Sequence, residues 1–321
     1  MNLKVSLGGT VMKKALSIGA LILLFLVSFV LFLFLTFPYE VLKEQVAAEL
    51  SQQTGYQVRI GDLSPRLPLG LEADNVQVAA PTGGAQVTLK SLTADVSVLS
   101  FLVGNLATDI TVKAGSGQID ASLRFGMVDL ARGVTVPNHV RLTSKNYPLE
   151  DAVAFGLSVA ANAPGANPMV APLLSAIGIT GFLNGSMDFK LDAKNVAQST
   201  GQAEITLSKA VLKLSNPALG LQDQTLKRAL IKAKVENGSV VFDKGSGIVS
   251  DELELLTAGR IMLKPTPSAS LLDLKVICRL HNGLKDKFGF VMDAMTGNAT
   301  NDGQITMQVR GPMGQPSVTT F

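Results

Sequence analysis

A short unit recurs through this chain: a glycine, then Gln or Ser, then strict alternation of apolar and polar residues. Gly117-Gln118 precedes Ile119, Ala121, Leu123 and Phe125, interleaved with Asp120, Ser122 and Arg124. The same arrangement follows Gly185-Ser186, Gly201-Gln202 and Gly303-Gln304, with a shorter copy at Gly238-Ser239. A period of two puts successive side chains on opposite faces, the pattern of antiparallel strands with one buried and one wet face. The intervals between copies are irregular, which excludes a fixed-period solenoid. Further strands are expected over 56–60, 76–79, 87–98, 110–113, 229–235, 260–263 and 271–280, about a dozen in all.

Each expected strand offers three or four apolar side chains on one face, each worth ~1.5–3 kcal/mol if buried. Expected helices are too few to cover them. Segments 222–230 and 284–294 read as short helices. Segment 169–179 reads as a short packing helix or loop beneath the sheet, or as an amphipathic flap over a groove. Residues 163–168 carry two prolines and a glycine and read as a linker. Two solutions are open to such a surface. Two sheets close on each other as a sandwich or barrel, or one sheet curls into a groove that another apolar molecule fills.

Residues 15–37 are 23 positions without a charge, 19 of them apolar. As a helix they reach about 34 Å, against roughly 30 Å of bilayer hydrocarbon. The run is longer than a signal-peptide core, and Leu35-Thr36-Phe37-Pro38 offers no small-residue cleavage site. A retained transmembrane helix is expected. Lys4, Lys13 and Lys14 precede it, whereas Glu40, Glu44 and Glu49 follow it among few cations. That bias puts the N-terminus in the cytoplasm and exports the rest. Met12 would serve as a start as well as Met1. From residue 38 to 54 the period turns helical, with Leu42, Val46, Leu50 and Gln53 on one face, Pro38 in the first turn and Gly55 as the stop. The expected division is therefore 1–14 cytoplasmic, 15–37 transmembrane, 38–54 a membrane-proximal amphipathic helix, 55–162 an N-terminal β segment, 163–180 a linker or short helix, and 181–321 a C-terminal β segment.

The chemistry-bearing residues form no constellation. One cysteine, Cys278, permits neither an internal disulfide nor a cysteine metal cage; among Val276, Ile277 and Leu280 it reads as a small apolar residue in a buried strand. His139 and His281 are far apart and read as surface or turn histidines. Gly245-Ser246-Gly247 lacks the lysine of a phosphate loop and reads as a flexible turn. Asp251, Glu252 and Glu254 read as a solvated turn leading into a strand. No residue is assigned to catalysis, to a cofactor or to a metal, and no enzyme is expected. A net charge of +3 without basic clusters gives nucleic acid nothing to bind.

The order of features resembles a known family. A Met-Lys-Lys start, an apolar span, Phe37-Pro38-Tyr39, an amphipathic helix, Gly55-Tyr56-Gln57-Val58-Arg59-Ile60 and Leu67-Pro68-Leu69-Gly70-Leu71 look like protein N of the type II secretion system. That family is similar in turn to the AsmA-like proteins of the Gram-negative inner membrane. Asn237-Gly238-Ser239-Val240, Gly259-Arg260-Ile261 and Asp302-Gly303-Gln304 through Val309-Arg310-Gly311-Pro312 resemble their C-terminal strands. The resemblance implies an accessory inner-membrane component of the export machine, with other secretion subunits as partners and no catalytic residues. It implies a curved, groove-forming periplasmic sheet. For AsmA-like relatives it also implies phospholipid binding or transfer, the alternative function.

Overall fold

The computed structural model describes residues 38–80, 85–134, 136–161, 177–192, 195–214, 222–264, 266, 269–286 and 303–320, with eight positions between 21 and 37. Residues 1–14, the expected linker at 163–168, residues 169–176 of the expected packing helix or flap, and the stretch 287–294 lie outside these. Described positions between 21 and 36 are helical and expose Leu21, Leu24, Phe25, Phe29 and Phe32. Among the described residues no helix is long and apolar enough to cross a membrane.

Helix α1 (Tyr39–Thr54) begins one residue later than its sequence implies, because Pro38 is its N-cap. The Pro38 carbonyl accepts from the N–H groups of Val41 and Leu42 at 3.1 and 3.3 Å. The helix stops at Gly55, whose φ of 74° permits the left-handed cap that returns its N–H to the Ser51 carbonyl at 3.0 Å. Leu42 and Val46 are half-buried as expected, but Leu50 is exposed.

Seventeen strands follow in one sheet. They are β1 (Gln57–Arg59), β2 (Asp62–Arg66), β3 (Gly70–Ala79), β4 (Gln86–Val96), β5 (Asn105–Ala114), β6 (Gly117–Gly126), β7 (His139–Pro148), β8 (Ile177–Lys190), β9 (Thr200–Leu214), β10 (Gln224–Thr225), β11 (Arg228–Glu236), β12 (Ser239–Phe242), β13 (Gly247–Val249), β14 (Leu253–Met262), β15 (Leu271–Leu280), β16 (Gln304–Pro312) and β17 (Ser317–Thr320). All pairings are antiparallel and run in chain order. Three positions in the ladder are shared by broken strands: β1 and β2 both pair with β3, β10 and β11 with β9, and β12 and β13 lie between β11 and β14. The seventeen strands therefore fill fourteen positions of an up-and-down meander. Of the two solutions open to the sequence, the described residues take the one-sheet form, and β7–β8 pairing joins the N-terminal and C-terminal segments within it.

Short helices α2 (Val98–Leu102), α3 (Met127–Ala131) and α4 (Glu150–Ala161) connect strands. Three local expectations are corrected. Segment 222–230 is β10 and the start of β11 rather than a helix, since pairing of Gln224 and Thr225 with Leu212 and Val211 outweighs its local preference. Residues 177–180, counted with the linker, open β8. The turn at Gly245–Gly247 is anchored rather than flexible. Ser246 is fully buried there; its hydroxyl donates to the Lys232 carbonyl and accepts from the Lys232 N–H, both at 3.0 Å. Residues 282–286 are helical, as expected for the start of 284–294.

Packing is concentrated in two places. Leu63, Ala73 and Val76 form a dry cluster with Leu42 of α1, Val58, Leu89 and Leu92 around it. Ala73 and Val76 are three apart, which strict alternation would put on opposite faces. Asn75, in the left-handed region at φ 52°, turns the strand so that both face the cluster. The second cluster joins Leu280, Leu284 and Ile305, with Leu253, Cys278 and Met307 packed against it. Cys278 is half-buried in β15, and burial raises its thiol pKa. Helix α4 packs against both β4 and β8, and its Phe155 ring lies 5.3 Å from that of Tyr56.

Candidate ligand-binding face

Directly opposed residues in an antiparallel ladder share a face. Following such partners from strand to strand gives one unbroken row: Pro65, Leu71, Ala94, Ile110, Ala121, Leu142, Met187, Ala203, Ala233, Phe242, Gly259, Leu274, Val309 and Val318. It crosses all fourteen positions without a charged or hydrogen-bonding side chain. At ~4.8 Å per strand it is about 60 Å long. A second row beside it runs Val96, Thr108, Leu123, Val140, Phe189, Gly201, Val235, Val240, Ile261, Leu272 and Gly311, with Thr108 its one polar member.

The residues one step along from the first row make the opposite face. From Arg66 that row runs through Gly70, Asp95, Asp109, Ser122, Arg141, Asp188, Gln202, Lys234, Val241, Arg260 and Asp273 to Arg310 and Ser317. Charge pairs stitch it together: Arg66–Asp95 at 3.3 Å, Arg141–Asp188 at 2.9 Å and Arg310–Asp273 at 3.3 Å.

The apolar rows are not dry. Ala203 and Ala233 are buried, Val318 is exposed, and every other member of the first row is half-buried. Sixteen apolar residues are buried among the described residues, and eight of these are alanines. The large side chains on this face are therefore only partly covered and keep a minority of their surface in water. An apolar body laid along it would gain about 1 kcal/mol per Leu or Met side chain that it dried.

The residues singled out for chemistry come together only in part. His139 is not a lone surface histidine, since its Nε2 lies 2.7 Å from Asp188 Oδ1 while Arg141 holds the other carboxylate oxygen. These bonds, His139 first, depress the Asp188 pKa. His281 follows β15, where its backbone N–H donates to the Glu252 carbonyl at 2.8 Å. Asp251 pairs with Lys227, Glu252 accepts from Gln224 at 2.9 Å, and Glu254 accepts from Arg279 at 2.9 Å. Of the three only Asp251 is exposed, while Glu252 is half-buried and Glu254 lies within β14 rather than in a solvated turn. A recess of about 450 Å³ sits by the bulge at Asp243, where Glu204, Lys232 and Lys234 meet Ala203, Ala233 and Phe242. Lys232 already reaches Glu204 there at 3.1 Å. Among the described residues no group of His, Cys, Asp and Glu could hold a metal ion. What sequence reasoning missed was the row itself. Each strand's alternation was legible, but the alignment of fourteen strands depends on register.

No family model matches the chain, and neither the curated proteins nor the solved structures contain a significant match.

Proposed function

We propose that the chain is a non-enzymatic, membrane-tethered protein of the cell envelope whose open sheet holds an acyl-bearing lipid. The uncharged row from Pro65 to Val318 carries the proposal. A continuous apolar strip backed by a charged face is what a groove for hydrocarbon chains requires, and nothing in it recognises a polar substrate. The uncharged segment 15–37 supplies the tether, with the N-terminus cytoplasmic and the sheet in the periplasm. The likeness to AsmA-like inner-membrane proteins supports the same reading.

The test uses the full chain in cells fed labelled phosphate. A benzophenone side chain at Leu142, Met187 or Leu274 should yield phospholipid adducts, and one at Lys234 or Arg260 on the opposite face should not. Equal labelling of both faces, or none at the three row positions, would sink the proposal.

A second reading, an accessory inner-membrane component of the type II secretion system, rests on the likeness to protein N. One observation favours it. Among the described residues no strand pairs with the outer side of β17, which leaves an edge that a strand of another subunit can extend. A benzophenone at Thr319 should then crosslink to a component of that apparatus identified by mass spectrometry. Adducts only with lipid would count against this reading.

A further inference from the structure

Lys43 Nζ donates to the Gly61 carbonyl at 3.3 Å, and the Val58 N–H donates to Ser51 Oγ at 3.0 Å. Helix α1 therefore runs antiparallel to β1 and β2. The end of the sheet where β2 finishes is the end where α1 begins, next to Phe37 and the uncharged segment before it. Strand direction places the β2–β3, β4–β5 and β6–β7 connections at that same end.

Ten large apolar side chains beyond Gly55 are exposed among the described residues, and seven of them lie in these three neighbouring connections. Leu99 is 75% exposed, Val103 73%, Val128 63%, Leu67 62% and Phe101 50%. Residues 97–104 include no charge. Backbone bonds hold the connections side by side: the Val96 N–H donates to the Leu69 carbonyl at 2.8 Å, and the Met127 N–H to the Gly104 carbonyl at 3.1 Å. Arg66, paired with Asp95 and Glu72, and exposed Arg132 flank them, with Asp129 in the same connection as Arg132. An apolar patch of this kind marks an interaction site.

We infer that this corner of the sheet inserts into the bilayer beside the tether. The occupant is the membrane because the patch adjoins the point where the 23-residue uncharged segment meets α1. It also adjoins the start of the apolar row, since Pro65, Leu71 and Ala94 each lie within four residues of these connections. A lipid leaving the bilayer here meets the strip without crossing water. The inference rests on the tether reading above.

The experiment uses the full chain with Cys278→Ala, carrying one cysteine labelled with an environment-sensitive fluorophore. It is reconstituted in phosphatidylethanolamine–phosphatidylglycerol vesicles with and without nitroxide lipids. Label sites are Leu99, Val103 and Val128 in the patch, Leu24 in the tether, and Ser116 in the β5–β6 turn at the opposite end. Circular dichroism confirms the strand content of each variant. The expected result is loss of fluorescence to nitroxide lipid at the patch sites and at Leu24, with none at Ser116. Loss at Leu24 alone overturns the inference and leaves the tether standing. No loss at any site overturns both. Patch labels shielded from aqueous iodide but untouched by nitroxide lipid would mean that protein covers the corner, and Ser116 quenched equally would mean nonspecific adsorption; either overturns the inference.

Discussion

The first four strands and the middle of the sheet are built from the same alternation and are covered differently. At β1–β4, α1 lies on the sheet and Leu63, Ala73 and Val76 are 4–7% exposed. From β5 to β12 the side chains of the row, apart from Ala203 and Ala233, are only partly buried. The comparison teaches that apolar alternation makes a strand but not a core. A core needs a second layer; among the described residues α1 supplies one at β1–β3, α4 packs against β4 and β8, and the other buried cluster lies at β14–β16. The partly covered row between them is either a weakness or a site, and substitutions distinguish the two.

The largest effect is expected from a buried charge. Ala73→Asp puts an unpaired carboxylate in the dry cluster and should cost on the order of 3–5 kcal/mol. Met187→Asp, in the open row, should cost about 1 kcal/mol while abolishing lipid adducts at Leu142. Urea titration of the full chain in detergent, followed by circular dichroism, measures both. Equal collapse of the two variants would mean that the middle is covered after all.

A neutral truncation makes the same comparison more gently. Leu63→Ala should lose about 2–4 kcal/mol, because it leaves a cavity among packed neighbours. Leu142→Ala should lose about 1 kcal/mol, because water already reaches the site. A Leu142→Ala penalty as large as that of Leu63→Ala would break the distinction.

The strands were legible because alternation is local. Gly117, Gly201 and Gly303 stand at or beside the openings of β6, β9 and β16 as their pattern implies. At Gly117 the reason is steric, since a Cβ would collide with the Asn146 carbonyl. Strand β7 was not legible as one, because Asn146 in the left-handed region breaks its alternation before Tyr147. Strand β2 was hidden by Pro65, a residue tolerated at a sheet edge. Helix α4 has a pattern too uniformly apolar to show a stripe. The candidate face was half legible. The sequence predicts an uncovered apolar surface, but only the register shows that it is continuous, and only exposure shows where the connections are greasy.

If the middle lacks a dry core, buried polar anchors should matter there more than their size implies. Ser199, Ser246 and Ser270 are fully buried, and each bonds backbone near a strand end. Ser246→Ala leaves the Lys232 N–H without its partner and should cost about 1–2 kcal/mol. That would equal or exceed the cost of Leu142→Ala in the same titration. A loss indistinguishable from zero would show that backbone pairing alone holds the bulge.

The smallest effect tests the charged face, and its sign follows from linkage. Asp188 bonds His139 and Arg141, so its pKa is lowered in the folded state. A carboxylate with a lowered pKa stabilises the fold above its unfolded value, near 3.9, and that contribution fades as pH falls through the folded value. The side chain is 37% exposed, so screening limits the whole contribution to about 1 kcal/mol or less. Asp188→Asn should therefore lower stability slightly at pH 7, and the gap to the parent should close as pH drops below the carboxylate range. Arg124 and Lys190 lie opposite His139 in register, so the carboxylate sits beside a row of basic side chains. A gap that widens with acid would mean that Asp188 is held by something other than its cations, and the charged face would then be more than a solvated back to the groove.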